Sequence, residues 1–176
     1  DIRNMVSELE NNILTGLLLV IVVVMLAMGF RNAVLVSLSI PLSMLITFII
    51  LQVAGITLNM VVLFSLILAL GMLVDNSIVV VENIYRHAEE HGSGRREAAA
   101  SGTRQVVFAV MAATLTLVAI FAPVIFMKGI IGRFFEAFAV VVTFGVLASL
   151  FVSLTLTPML CSRFLKVEKK HGKLFH

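Results

Sequence analysis

A single carboxylate interrupts the most strongly apolar part of this sequence. Asp75 lies inside the run Met60–Val81, which otherwise has the composition of a membrane span. Placing an ionised Asp near the centre of a bilayer costs roughly 2.5–3.5 kcal/mol on insertion scales. Such residues usually face a protein interior or a wet cavity and mark a proton or ion pathway. We therefore expect a titrating site at Asp75, against the plainer alternative of a structural polar contact between two helices.

Helical spacing relates Asp75 to five other residues. Those close to its own face are Gly71, Glu82 and Arg86, whereas Asn76 and Asn83 form a second polar line beside it. Gly71 has no side chain, which favours a close contact with a neighbouring helix. Glu82 lies nearer the end of the apolar run, where a solvated or capping role is as plausible as a supporting one. Asn76, Glu82 and Asn83 are thus predicted to be supporting polar positions.

The composition assigns the chain to the polytopic α-helical membrane proteins. Of its 176 residues, 60% are hydrophobic and only 13% are charged, against about 25% charged in soluble domains. The apolar runs are continuous and lack the alternation of a β-barrel strand. The net charge of +3 fits membrane topology better than nucleic-acid binding, since the basic residues lie in loops and at the tail. Cys161 is the only cysteine and all four histidines fall in hydrophilic segments, so we expect no metal site and no cofactor.

Five apolar segments are long enough to cross a bilayer at about 20 residues each. We predict one transmembrane domain over 1–176, an all-α bundle with spans at about 13–30, 33–53, 58–84, 106–127 and 134–161. Most connections are short, which makes successive helices antiparallel neighbours. The exception is a predicted loop over 87–105, in which Arg95–Ser101 has the composition of a short interfacial helix. Pro41, Pro123 and Pro158 are expected to kink their helices.

The distribution of Lys and Arg predicts the orientation. Ten basic residues fall on one side, including those of the 87–105 loop and of a basic tail over 163–176, and three fall on the other. The positive-inside rule places the ten in the cytoplasm. The N-terminus is then outside and the C-terminus inside, and the odd number of spans suggests that an earlier span precedes this piece. Hydroxyl groups within the spans are expected to bond to their own helix: Thr114, Thr116, Thr143, Ser153, Thr155 and Thr157.

Several motifs resemble a known family in the same order along the chain. Leu70–Ile84 resembles the fourth transmembrane helix of resistance–nodulation–division (RND) efflux pumps. The other matching motifs are Phe30–Asn32, Ile40–Pro41, Phe121–Pro123, Gly129–Arg133 and Leu156–Cys161. The resemblance covers residues 1–165 and implies transmembrane helices two to six of a twelve-helix fold. A first helix and a large extracytoplasmic domain would precede them.

The resemblance also implies a mechanism and an assembly. Asp75 matches the family's proton-relay aspartate, and Asn76 stands where many multidrug members have a second aspartate. The basic partner of this site belongs to the other half of the transporter. The family works as a homotrimer in the bacterial inner membrane, with a periplasmic adaptor and an outer-membrane channel, and it is driven by protons and not by a bound cofactor. The sequence of the relay helix is more similar to that of pumps for hydrophobic or amphiphilic compounds, so the resemblance favours export of such compounds.

Three other functions are weaker alternatives. An intramembrane protease needs two buried aspartates or a buried Ser–His pair, and the sequence offers neither, so we do not expect an enzyme. Sterol- or lipid-sensing modules share the RND helix arrangement, but they should not need a charged Asp75. Protein-export subunits of the same superfamily fit the loop motifs poorly.

Overall fold

The computed structural model describes residues 2–57 and 59–165, and the fold over these ranges is all-α. Five helices follow one another, and no strand occurs among them: α1 (Ile2–Met28), α2 (Phe30–Val53), α3 (Met60–His91), α4 (Arg95–Ile125) and α5 (Ile130–Phe164). Helices α2 to α5 are long and apolar enough to cross a membrane, whereas α1 contains a shorter apolar stretch, Glu10–Leu26. The predicted fold class is therefore confirmed, and the membrane crossing by α1 stays a prediction.

The connection between α3 and α4 is much shorter than the sequence suggested. Asn59 caps the start of α3 by accepting a hydrogen bond from the Val62 backbone N–H at 3.0 Å, and the helix ends at Gly92 in the left-handed conformation, with φ of 58°. α4 begins at Arg95. The prediction of a loop over 87–105 is wrong, because both helices continue past their apolar parts and the chain reverses within residues 92–94. Arg95–Ser101 is helical as predicted, but it forms the first turns of α4.

Helix α3 lies at the centre of the bundle. It packs against all four other helices, and α5 packs against α2, α3 and α4. The core consists mainly of β-branched and small side chains along α3 and α5, among them Val62, Val80 and Val81 of α3 and Val142 and Val146 of α5. These residues let the helices approach closely, as is typical of bundles in lipid.

The three prolines lie inside otherwise continuous helices. Pro41 is in α2, Pro123 is near the end of α4 and Pro158 is near the end of α5. The hydroxyls of Ser39 and Thr157, both close to a proline, hydrogen-bond to each other at 3.0 Å and join α2 to α5. Thr157 therefore binds a neighbouring helix, contrary to the expectation that it bonds within its own. Kinks at the prolines stay a prediction.

Close helix contacts occur at glycines other than Gly71. A Cβ atom added to Gly102 would lie 2.8 Å from the Ile84 Cα, so α3 and α4 approach each other backbone to backbone at that point. The contact at Gly145 of α5 is looser, since a Cβ atom there would lie 3.3 Å from the Leu73 side chain. A Cβ atom on Gly71 would meet nothing within 4 Å. Among the described residues the predicted close contact at Gly71 has no partner, and it remains a prediction about a helix outside them.

The basic tail lies largely outside the described residues. Helix α5 continues to Phe164 and includes Arg163 in its last turn. The lysines at 166, 169, 170 and 173 fall beyond residue 165, where the description ends.

Candidate proton site on the third helix

Asp75 lies at the midpoint of α3, a 32-residue helix that is apolar over most of its length. It is fifteen residues after Met60, where α3 begins, and sixteen before His91, where α3 ends. At 1.5 Å per residue it is therefore about 23 Å from either end of the helix. Glu82 lies about 10 Å further toward the end at His91. Asp75 is about 7 Å from the middle of the apolar run Met60–Val81, well inside the part of the helix where a bilayer solvates charge poorly.

The side chain of Asp75 is exposed on the surface of the five-helix unit. It belongs to a continuous exposed row along α3, which we call the open stripe: Phe64, Leu68, Gly71, Asp75, Val79, Glu82 and Arg86. Phe64 is 56% exposed and Leu68 48%. Asp75 therefore does not face the interior of the described helices, and its role as a titrating site stays a prediction. Helices α1, α2, α4 and α5 all pack on α3, yet this face is left uncovered.

The composition of the open stripe changes along its length. The half that begins at Phe64 is apolar, Asp75 stands in the middle, and Glu82 and Arg86 follow toward the polar end. Arg86 donates a hydrogen bond from Nη2 to the Asn83 Oδ1 atom at 2.8 Å. A face of this kind suits contact with another helix that carries a charge of opposite sign at the depth of Asp75, because an unpaired ion is costly there.

The second polar line, Asn76 and Asn83, faces α4 and is sealed. We call these two residues the amide line. Asn76 is 8% exposed, and its Nδ2 atom donates to Thr114 Oγ1 at 3.1 Å. Asn83 is 5% exposed. Its Nδ2 atom donates to the Gly102 carbonyl at 2.7 Å and to Gln105 Oε1 at 3.0 Å. The prediction of two separate polar lines is confirmed in its geometry.

Helix α5 contacts a third side of α3 beside the site. Ser149 Oγ donates a hydrogen bond to the Leu73 carbonyl, two residues before Asp75. Ser77, one turn further along α3, is 1% exposed, and its hydroxyl has no hydrogen-bond partner. Helix α5 therefore holds the backbone just before Asp75, whereas the Asp75 side chain is exposed on the open side.

Sequence reasoning missed the partners of the amide line. Thr114 was expected to bond to its own helix, and it accepts from Asn76 instead. Thr116, Ser153 and Thr155 do bond to their own helices, at 2.8, 3.1 and 2.5 Å. The expectation is wrong for Thr143, whose buried hydroxyl has no hydrogen-bond partner among the described residues. One signal for the contact of α3 with α4 was present, since Ala98 and Gly102 have the small-xxx-small spacing of close helix pairs.

The arrangement offers proton chemistry and little else. Within the described ranges no group of three or more His, Cys, Asp or Glu side chains is placed to hold a metal ion. Asp75 is the acidic side chain at mid-depth, and amides and hydroxyls occupy the neighbouring sealed faces. A carboxylate that alternates between a protonated state and a charged, partnered state can carry a proton across this depth.

Comparison with known proteins gives a consistent family. The AcrB/AcrD/AcrF family profile matches residues 1–176. The chain is 40% identical over 173 residues to the multidrug resistance protein MdtC of Pectobacterium atrosepticum, covering 98% of this chain and 17% of that protein. It is 41% identical over 169 residues to MdtC of Escherichia coli (strain K12 / DH10B), covering 96% of this chain and 16% of that protein. The chain therefore spans about a sixth of the length of the curated relatives it matches.

Proposed function

The chain belongs to the AcrB/AcrD/AcrF family of RND transporters, and on this premise we propose that it forms the transmembrane proton-relay half of a proton-driven pump that exports hydrophobic or amphiphilic compounds. The observation that carries the proposal is the position of Asp75. Its carboxylate is at the middle of a membrane-length helix, on a face that the other described helices leave open. The relatives' printed name, multidrug resistance protein, supports the substrate class.

The open stripe is the surface on which the remaining half of the transporter packs. Its partner helix carries a basic side chain at the depth of Asp75, because a charged pair avoids the cost of an isolated carboxylate in lipid. Protonation of Asp75 removes its charge and weakens the attraction to that partner. The two protonation states therefore favour two arrangements of the halves, and alternation between them drives transport.

The transmembrane potential sets the scale of the electrical drive. One charge that crosses the whole potential contributes about 2.3 kcal/mol per 100 mV. Asp75, near the middle of the helix, divides the path of a proton into two roughly equal parts. Protons enter from the outer side and leave toward the side of the 92–94 turn.

The proposed orientation places the 92–94 turn in the cytoplasm. Arg86, Arg95 and Arg104 cluster at that end, and Arg95 Nη1 donates to the Arg163 carbonyl at 3.3 Å, which brings the start of α4 to the end of α5. The positive-inside rule then gives an outer face formed by the 54–59 and 126–129 connections. We place the protein in the bacterial inner membrane as a homotrimer, with a periplasmic adaptor and an outer-membrane channel as partners.

Export by the complete pump in proteoliposomes tests the proposal. With ethidium as substrate and an imposed pH gradient, Asp75→Asn should lose transport. Glu90→Gln is the matched control, since it removes an exposed carboxylate from the same helix beyond its apolar part. If Asp75→Asn still moves ethidium against its gradient, the proton-relay function of Asp75 is wrong.

A further inference from the structure

The amide line joins α3 to α4, a helix that packs against α5 and α3 but has few buried residues of its own. The buried residues of α4 are Ala98, Ala99, Gly102, Val110 and Thr114. Beyond Gly102, the 31-residue helix therefore depends on Val110, Thr114 and a few partly buried side chains. Thr114 is fully buried, and its hydroxyl meets the Asn76 amide. This hydrogen bond is the polar contact between α3 and α4 at the depth of Asp75.

The three hydrogen bonds of the amide line hold α3 against α4 at two points along the helix. Asn76 and Asn83 lie about 10 Å apart along α3, and they bind α4 at Thr114 and at Gly102 with Gln105. These contacts lie on one side of α3, so they add to the packing of the bundle in resisting rotation of α3 relative to α4. Asp75 is one residue before Asn76, which places it about 100° around the helix. The direction of Asp75 therefore depends on the Asn76–Thr114 bond.

We infer that Asn76 is a positioning residue of the proton site, which acts through Thr114 by holding α3 so that Asp75 faces the open stripe. The inference rests on the proposed role of Asp75. A side-chain amide neither gains nor loses a proton near neutral pH, so Asn76 does not carry the transported proton. Asn76 orients the helix next to Asp75. Transport then uses the Asp75 carboxylate alone.

The test compares the two ends of the bond in the complete pump. Thr114→Val removes the hydroxyl but keeps the branched shape, and Asn76→Ala removes the amide. In ethidium export from proteoliposomes, normalised to folded protein, each variant should lower kcat about threefold and leave KM unchanged, the size expected for one interhelical hydrogen bond in lipid. The double variant should be no slower than either single variant, because one bond is lost in all three.

Two controls separate positioning from general damage. Thr116→Val removes a hydroxyl of α4 that is exposed and bonds to its own helix, and it should export at the wild-type rate. Thr114→Ser restores the hydroxyl and should recover wild-type kcat, which a loss of packing alone would not predict. If Asn76→Ala fails to fold, the shape-preserving Thr114→Val and Thr114→Ser pair still decides the question.

Several outcomes would overturn the inference. Wild-type kcat in Thr114→Val, multiplied losses in the double variant, or no recovery in Thr114→Ser would each show that the bond does not position Asp75. Asp75→Asn in the same assay keeps the two proposals apart. If Asp75→Asn loses export while Thr114→Val exports at the wild-type rate, only the positioning role is rejected. If Asp75→Asn retains export, the proton site itself is rejected.

Discussion

The open stripe and the amide line lie side by side on α3 and have opposite surroundings. Asp75 and Glu82 on the open stripe are exposed, although they are at or near membrane depth. Asn76 and Asn83, each one residue later, are buried and hydrogen-bonded to α4. In lipid, neutral amides serve well inside a helix pair, and ionisable groups are retained where function requires them. One side of α3 thus builds the described bundle, and the other side is left open for the role that we propose for Asp75.

The largest expected effect is the loss of transport without the loss of folding. In the complete pump, Asp75→Asn should lower resistance to amphiphilic compounds to the level of cells that lack the pump, because the relay carboxylate is gone. The substitution is nearly isosteric and its site is exposed in this unit, so expression and assembly should match the wild type. Growth assays with quantitative membrane blots measure both. A drop in protein level equal to the drop in resistance would place Asp75 among the structural residues.

Two glycines provide a matched test of sealed and open faces. Gly102→Ala should lower the stability of the transmembrane domain by about 1–3 kcal/mol, because its Cβ would press on the Ile84 backbone, which cannot easily move. Gly71→Ala, on the open stripe, meets nothing within 4 Å and gains helix propensity. Thermal melting in detergent measures both. Equal destabilisation by the two variants would contradict the assigned faces.

Asn83 should matter for stability and not for the proton. Asn83→Ala removes hydrogen bonds to Gly102 and Gln105 and leaves Arg86 without its acceptor. We expect a loss of about 1 kcal/mol in the free energy of unfolding. The proton-to-substrate ratio, measured on the folded fraction, should not change. A changed proton-to-substrate ratio would show that Asn83 takes part in proton transport.

The smallest effect is expected at Glu82. Glu82→Gln should keep more than half of wild-type export, since Glu82 lies about 10 Å beyond Asp75, is exposed, and is close enough to the membrane surface to be hydrated. Ethidium efflux at matched expression is the measurement. A loss as complete as that of Asp75→Asn would extend the relay along the whole open stripe.

The helices and both polar lines could be predicted from the sequence, but their surroundings could not. The spacing of Asp75 with Glu82 and of Asn76 with Asn83 fixes two rows on one helix, whatever packs around it. Which row is covered depends on where α4 lies, and periodicity within α3 contains no information about that. Gly71 and Gly102 show the same limit, because a glycine permits a close contact without specifying a neighbour.

The lengths of the helices were also only partly predictable. Hydropathy identifies only the part of a helix that lies in the lipid. The apolar segments therefore predict that the third span ends at residue 84 and that the fourth begins at residue 106. The structure continues α3 to His91 and starts α4 at Arg95. The added turns of α4 contain Ala98 and Gly102, and Gly102 makes the close contact with the Ile84 backbone of α3. The small-xxx-small spacing of Ala98 and Gly102 indicates this contact, but it lies outside the apolar segments from which the spans are predicted.

The most direct test of the account is the number of protons moved per substrate in proteoliposomes of the complete pump. A pH indicator and ethidium fluorescence together give this ratio for the wild type, Asp75→Asn and Asn76→Asp. We predict no coupled proton flux in Asp75→Asn and the wild-type ratio in Asn76→Asp. The Thr114 hydroxyl, which accepts from Asn76 in this structure, can turn to donate to the new carboxylate, which stays on the buried side of α3. Coupled flux in Asp75→Asn, or a higher ratio in Asn76→Asp, would contradict the division of α3 into a transport face and a structural face.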